Sequence, residues 1–189
     1  MRVISGKARG LKLRAAEGLN TRPTADRIKE NIFNMLAPDL PGCMFLDLFS
    51  GTGAIGIEAL SRSAKFAVFV DNSPIAVETI KRNLDAAKLM CGARVICMDY
   101  KPALEQLARE KLKFDVIFLD PPYYTGFAPE CLELIAGGGL LNDTGFVVAE
   151  LEHGTKHCLN SYRFEIYKSR DYGAASIVFL RQAQEGVMA

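Results

Sequence analysis

The chain has 189 residues, of which 49% are apolar and 24% charged, ordinary values for one soluble globular domain with a full core. No apolar run approaches the roughly 20 residues that a membrane span needs. The opening MRVISGKARGLKLR has no apolar core after its charges, which argues against a secretory signal, so a cytoplasmic protein without membrane partners is expected.

The net charge of +1 is unevenly spread. Residues 1 to 35 hold eight Lys or Arg against three acids, a net of +5, which leaves −4 for the remainder. A basic arm on a mildly acidic body points to a polyanionic partner. Five cysteines occur, and none sit at C-x-x-C spacing. His153, His157 and Cys158 fall short of the four ligands that a structural zinc usually takes. No metal site is expected, and the cysteines read as reduced, mostly buried thiols.

RVISGKARGLKLR places Gly6 and Gly10 between short β-type runs and reads as a basic β-hairpin. The division expected is a hairpin arm over residues 1–20, followed by one domain over 21–189. LNTRPTADR is a turn-rich connection. Ile28, Ile32, Phe33, Met35 and Leu36 then recur at helical spacing, which predicts an amphipathic helix over 24–36. From residue 43 strands and helices alternate. CMFLDLF, KFAVFVD, ARVICMD, FDVIFLD and GFVVAELE are strands, and helices fall between them at AIGIEALSR, SPIAVETIKRNLDAAK, PALEQLAREK and APECLELIA. YRFEIYKSR and AASIVFLR, joined by the turn RDYG, predict an antiparallel pair at the sheet edge. Near-continuous apolar strands separated by helices mean a mostly parallel sheet covered on both faces. The fold class is therefore α/β, a doubly wound seven-stranded sheet.

Ligands of such sheets bind at the carboxyl ends of the strands. The first end, LDLFSGTGAIG, sets Gly51, Gly53 and Gly56 in G-x-G-x-x-G register between a strand and a helix. That pattern fits either a dinucleotide or S-adenosylmethionine (SAM). Asp47 tilts the balance, because a carboxylate repels a pyrophosphate and attracts a sulfonium or ammonium. Asp71 ends the second strand and can accept from ribose hydroxyls. Asp99 ends the third and can accept from an adenine amine. Each of these two could instead cap the helix that follows it.

The fourth strand ends in Asp120-Pro121-Pro122-Tyr123. An exocyclic amine on a base is a poor nucleophile, since its lone pair is delocalised into the ring. Methylating it needs acceptors for its hydrogens. Asp120 supplies one and the Pro121 carbonyl another, on a backbone whose prolines hold it rigid and donate no N–H. Tyr123 offers a face for the base to stack on. Transfer is then mostly positioning.

DLFSGTGAIGIEAL together with DPPY resembles the class I SAM-dependent methyltransferases that modify exocyclic amines of nucleic acid. The wider set ISGKARGLKL, RPTADRIKENIFNML, FLDLFSGTGAIGIEALSR, DPPY and DYGAASIVFLR, in that order along nearly the whole chain, is similar to the RsmD type. That family methylates guanine N2 in 16S ribosomal RNA, at the position conventionally called guanine 966. The resemblance implies a Rossmann-like sheet, SAM as cofactor, and Asp120, Pro121, Pro122 and Tyr123 as the catalytic turn. It implies Asp47, Gly51, Gly53, Asp71 and Asp99 as the cofactor shell, with Phe49, Asn72 and Tyr100 beside them. Arg22, Pro23 and Thr24 look like the family's lid, and Lys7 and Arg9 would grip phosphate. Arg22, Thr24 and Tyr124 join them on the substrate side. The partner expected is 16S RNA within the 30S subunit or a late assembly particle, acted on by a monomer. The competing readings are a DNA adenine-N6 methyltransferase, an RNA-binding protein on a decayed methyltransferase fold, and an NAD-dependent oxidoreductase.

Overall fold

The apolar runs that alternate with helices build one seven-stranded sheet, in the order β3-β2-β1-β4-β5-β7-β6. The strands are β1 (Met44–Leu48), β2 (Phe66–Asp71), β3 (Ala93–Cys97), β4 (Phe114–Leu119), β5 (Leu141–Glu152), β6 (Phe164–Tyr172) and β7 (Ala175–Gln182). In this computed structural model the residues described are 1–15, 26–122, 126–159 and 163–183. Strands β1 to β5 pair in parallel, and β7 runs antiparallel between β5 and β6. The expected antiparallel edge pair is present, with β6 outermost.

The helices are α1 (Asp26–Leu36), α2 (Ala54–Ser61), α3 (Pro74–Ala86), α4 (Tyr100–Arg109) and α5 (Phe127–Gly137). Side chains alternate across each strand, and the two faces pack different helices. Leu46, Val68, Ile117 and Val147 meet Leu104 and Leu107 of α4 and Leu132 and Ile135 of α5. Phe45, Phe69, Phe118 and Val148 meet Ile32 and Phe33 of α1, Ile57 of α2 and Ile80 of α3. The chain crosses from one face to the other after β3, so the switch point lies between β1 and β4. That crevice is where a doubly wound sheet binds its ligand.

Helix α3 starts where the sequence predicts, with Pro74 in its first turn. Its cap is Ser73, whose Oγ accepts the Ala76 N–H at 3.3 Å. Asp71 was a candidate for that role and is used elsewhere. Helix α4 starts at Tyr100, two residues before the predicted PALEQ, because Asp99 caps it by accepting the Lys101 N–H. Of the four cysteines described, Cys43 and Cys131 are buried and Cys91 and Cys97 exposed, so burial is less general than composition suggested. Among the described residues no helix is long and apolar enough to cross a membrane, and no group of three or more His, Cys, Asp or Glu could hold a metal.

Residues 1–15 turn back on themselves and close with a single antiparallel bridge, Arg2 to Lys12. They lie on the body of the protein: Val3 is 1% exposed and Leu13 8%, both in the core shared with α1 and α2. The anchor is Glu58 of α2, a fully buried acid. Its carboxylate accepts the Ile4 N–H at 2.7 Å, the Ser5 N–H at 3.0 Å and Arg62 Nε at 2.8 Å. Lys29 of α1, also fully buried, lies 3.4 Å from it and donates to the Arg2 carbonyl at 2.5 Å. Burial lowers the Lys29 pKa, and Glu58 works against that fall. Removing Glu58 would strand the Lys29 charge in the core. Gly6 closes against Ser61, where a Cβ would stand 1.9 Å from the carbonyl oxygen.

Candidate active site

A cavity of about 560 Å³ opens at the carboxyl ends of β1 to β5, a size suited to a nucleoside-bearing ligand. Its walls include Asp47, Phe49, Gly51, Asp71, Asn72, Asp99, Tyr100, Asp120, Pro121 and Pro122. Segments from Asp47 to Pro122, distant in sequence, thus meet at one crevice, as the parallel order requires.

The glycine loop is shaped by carboxylates. Asp47, 2% exposed, accepts the Gly56 N–H through Oδ2 at 2.9 Å and so ties β1 to the start of α2. Burial raises its carboxyl to about 7, against the pull of the Gly56 N–H, and Asp71 adds a little. Asp71 accepts the Gly51 N–H at 2.8 Å with one oxygen and the Ser73 N–H at 2.9 Å with the other. Each oxygen keeps lone-pair capacity for a further donor. The glycines differ in task. Gly51, at φ 55°, has nothing within 4 Å of where a Cβ would stand, so its backbone is open to a ligand. Gly53, at φ 76°, makes the turn into α2, and a Cβ there would stand 3.2 Å from Ile80. At Gly56 a Cβ would stand 2.3 Å from the Phe69 ring, so that glycine lets α2 lie close on β2.

Three rings form one wall. Phe49 and Phe127 stack at 6.3 Å, and Tyr100 tilts against them at 5.4 and 5.0 Å. The Tyr100 hydroxyl donates to Glu130 at 2.5 Å, and Lys101 pairs with the same carboxylate at 2.7 Å. Burial and that acid raise the Tyr100 pKa. Phe49 takes a left-handed φ of 67°, a sparsely populated conformation for a bulky residue, and it places the ring over the loop.

The acceptor end lies beside β4. Asp120 follows the strand and is half-buried, Pro121 is buried, and Pro122 is exposed. Leu119 pairs with Ala149 in parallel register, so Asp120 and Glu150 are neighbours one residue further on. Glu150 is 6% exposed and shares the cavity. Burial raises the Asp120 carboxyl well above the ordinary carboxylate range, and the charges of Glu150 and Asp47 raise it further.

Tyr123, Tyr124, Arg22 and Thr24 lie outside the described residues. Lys7 and Arg9 are exposed on the N-terminal loop, and the Lys7 N–H is tied to the Ser61 carbonyl at 2.8 Å. Several cavity residues carried no sequence signal: Met1, Ile28 and Lys29 from the start of the chain, Phe127 of α5, Glu150, and Tyr172. Glu150 alone was within reach, as an acid in the strand that must pair beside FDVIFLD.

A seven-stranded sheet of this order, with a glycine loop after β1 and an acid-proline turn after β4, defines a class I methyltransferase. The sequence model of the family described as Conserved hypothetical protein 95 matches residues 1–181, and the chain belongs to this family, the RsmD family. A Bacillus subtilis relative, YlbH, is 45% identical over 150 residues, covering 79% of this chain and 82% of its own. Ribosomal RNA small subunit methyltransferase D of Escherichia coli is 36% identical over 157 residues, covering 82% and 77%. The solved structure of yhhF from Escherichia coli matches with a TM-score of 0.82 at 32% identity, over 97% of this chain and 99% of that one.

Proposed function

We propose that the protein transfers a methyl group from SAM to the exocyclic N2 amine of one guanine in 16S ribosomal RNA, a site of the guanine-966 type. The observation that carries this reading is Asp120. It is a carboxyl made unusually basic, at the edge of the cavity that the glycine loop, Asp71 and the aromatic wall enclose. The name of the Escherichia coli relative supports ribosomal RNA as the substrate class.

The residues present fit SAM. Gly51 leaves its backbone open, Asp71 holds two carboxylate oxygens ready for ribose hydroxyls, and Asp99 stands at the next strand end. The acidic floor of Asp47 and Asp120 suits a cationic centre. When bound, SAM supplies the methyl group and leaves as the neutral thioether S-adenosylhomocysteine. Asp120 accepts a hydrogen of the target amine, orients its lone pair toward the methyl, and takes the proton released when the N–C bond has formed. The Pro121 carbonyl accepts the other hydrogen. Burial that raises the Asp120 pKa strengthens it as a base. The target must be extruded to reach this cavity, and Tyr123 gives the extruded base a stacking face.

The substrate form is the 30S subunit or a late assembly particle in the cytoplasm, and the enzyme acts as a monomer. The small basic N-terminal segment offers little surface for site selection, so folded RNA supplies the rest. Labelled SAM with 30S particles lacking the modification should place label in N2-methylguanosine at one site, and Asp120→Ala should remove it. Label in adenine of duplex DNA instead would overturn the reading. Equal rates on naked 16S RNA and on 30S particles would overturn the requirement for an assembled substrate.

A further inference from the structure

The chemistry above gives no task to Glu150. This acid lies near the end of β5, on the same face of the sheet as Asp47 and Asp120, and it is 6% exposed while lining the same cavity. Register puts it beside Asp120, and adjacent strands are about 4.8 Å apart. The two carboxylates can therefore converge on one edge of one base.

Guanine carries two donors side by side, N1–H and the N2 amine. Adenine and 2-aminopurine also carry an amine, but their N1 is an acceptor. A pair of adjacent acceptors is complementary to the first arrangement and repels the second. We propose that Glu150 accepts the N1–H of the extruded guanine while Asp120 accepts from its N2 amine, so that Glu150 sets the base specificity of the site. This inference rests on the guanine-N2 reading. It also accounts for why two acids stand together in a closed cavity: donors from the base relieve a repulsion that otherwise raises the Asp120 pKa. A site built to bond a substrate N–H rejects an analogue lacking it more strongly than an apolar pocket could.

The test uses the full-length protein and 30S particles reconstituted with ligated 16S RNA, carrying guanine or 2-aminopurine at the methylated position. Wild type should methylate guanine at least about tenfold faster than 2-aminopurine. Glu150→Gln should reduce that ratio about tenfold or more, because its amide can donate to an unprotonated N1, while SAM affinity stays within about twofold. Glu150→Asp keeps the acceptor and should keep the preference at a lower rate. Comparable wild-type rates on the two bases would overturn the inference without recourse to any variant. So would an unchanged ratio in Glu150→Gln. Absence of methyl transfer to guanine by wild type would instead overturn the underlying reading, so the two failures are distinguishable.

Discussion

The two halves of the crevice use acids in opposite ways. On the β1–β2–β3 side each carboxylate is committed to backbone: Asp47 to Gly56, Asp71 to Gly51 and Ser73, and Asp99 to Lys101. On the β4–β5 side Asp120 and Glu150 stand beside each other and face the cavity. The first arrangement builds a rigid cradle. The second holds proton-accepting groups whose repulsion a substrate with donors relieves. On the proposed reading binding and chemistry divide between the two sides of the switch point, and a substitution should reveal which side it falls on.

The sharpest break comes from Asp120→Ala. Methyl transfer should fall by about 10²–10⁴-fold, the usual scale of a lost general base, with SAM affinity almost unchanged by calorimetry. A matching loss of SAM affinity would dissolve the division between the halves. In the wild-type enzyme the rate should fall with acidification through a pKa well above the ordinary carboxylate range, because the carboxyl must be ionised to accept.

Asp71→Asn acts on the other half. An amide cannot accept with both of its heavy atoms, so one backbone N–H and one ribose contact are lost. SAM should bind roughly 10–100-fold more weakly, as expected for hydrogen bonds to a charged group, while kcat at saturating SAM holds. A large drop in kcat would place Asp71 in the chemistry. Gly56→Ala should destabilise the protein by about 1–3 kcal/mol, since the added methyl meets the buried Phe69 ring. For a chain of this size that is a fall in Tm of roughly 2–4 °C per kcal/mol, visible in a thermal melt.

Asp47 gives a pH-dependent effect whose sign is fixed. Its carboxyl is raised from 3.8 to about 7 on folding, so the ionised form is penalised only in the folded state. Wild type should gain stability over Asp47→Asn as pH falls from about 7 toward 4, by up to about 1.4 kcal/mol per pH unit. Denaturant melts of both proteins at several pH values should show wild type rise relative to the variant on acidification, with the difference flat above pH 8. The smallest effect is expected outside the crevice. Lys7→Ala with Arg9→Ala should raise KM for 30S particles a few-fold and flatten its salt dependence, leaving kcat alone. A KM and salt dependence unchanged from wild type would remove these two residues from the RNA interface.

The layer order was legible because each of β1 to β5 is an apolar run with an acid or glycine at its end, and each intervening helix shows its period. That the residues after β1, β2 and β3 line one cavity was also legible, since they lie within a few positions of the strand ends that announce them. What the acids do there was less so. Asp47 reads in sequence as an attractor for a cation, and nothing local shows that its Oδ2 also accepts the Gly56 N–H, a contact nine residues along the chain. Asp71 reads as a ribose acceptor or a helix cap, and the cap is Ser73. Phe127, Lys29 and Met1 reach the cavity from segments whose local pattern speaks only of helix faces and a chain start. Their placement depends on packing between elements distant in sequence, which no local period records.

The Glu58 anchor has a consequence for the order of assembly. The contacts that dock residues 4 to 8 span 53 to 56 positions, and none of them can form before α2 has been synthesised and has left the exit tunnel. Closing a loop of that length is slow relative to forming a local turn. Residues 4 to 8 emerge before their α2 partners and must therefore wait unattached, and the cavity edge at Met1 is completed only once they dock. A protein whose proposed substrate is a ribosomal particle would acquire one wall of its working site late in its own passage from the ribosome.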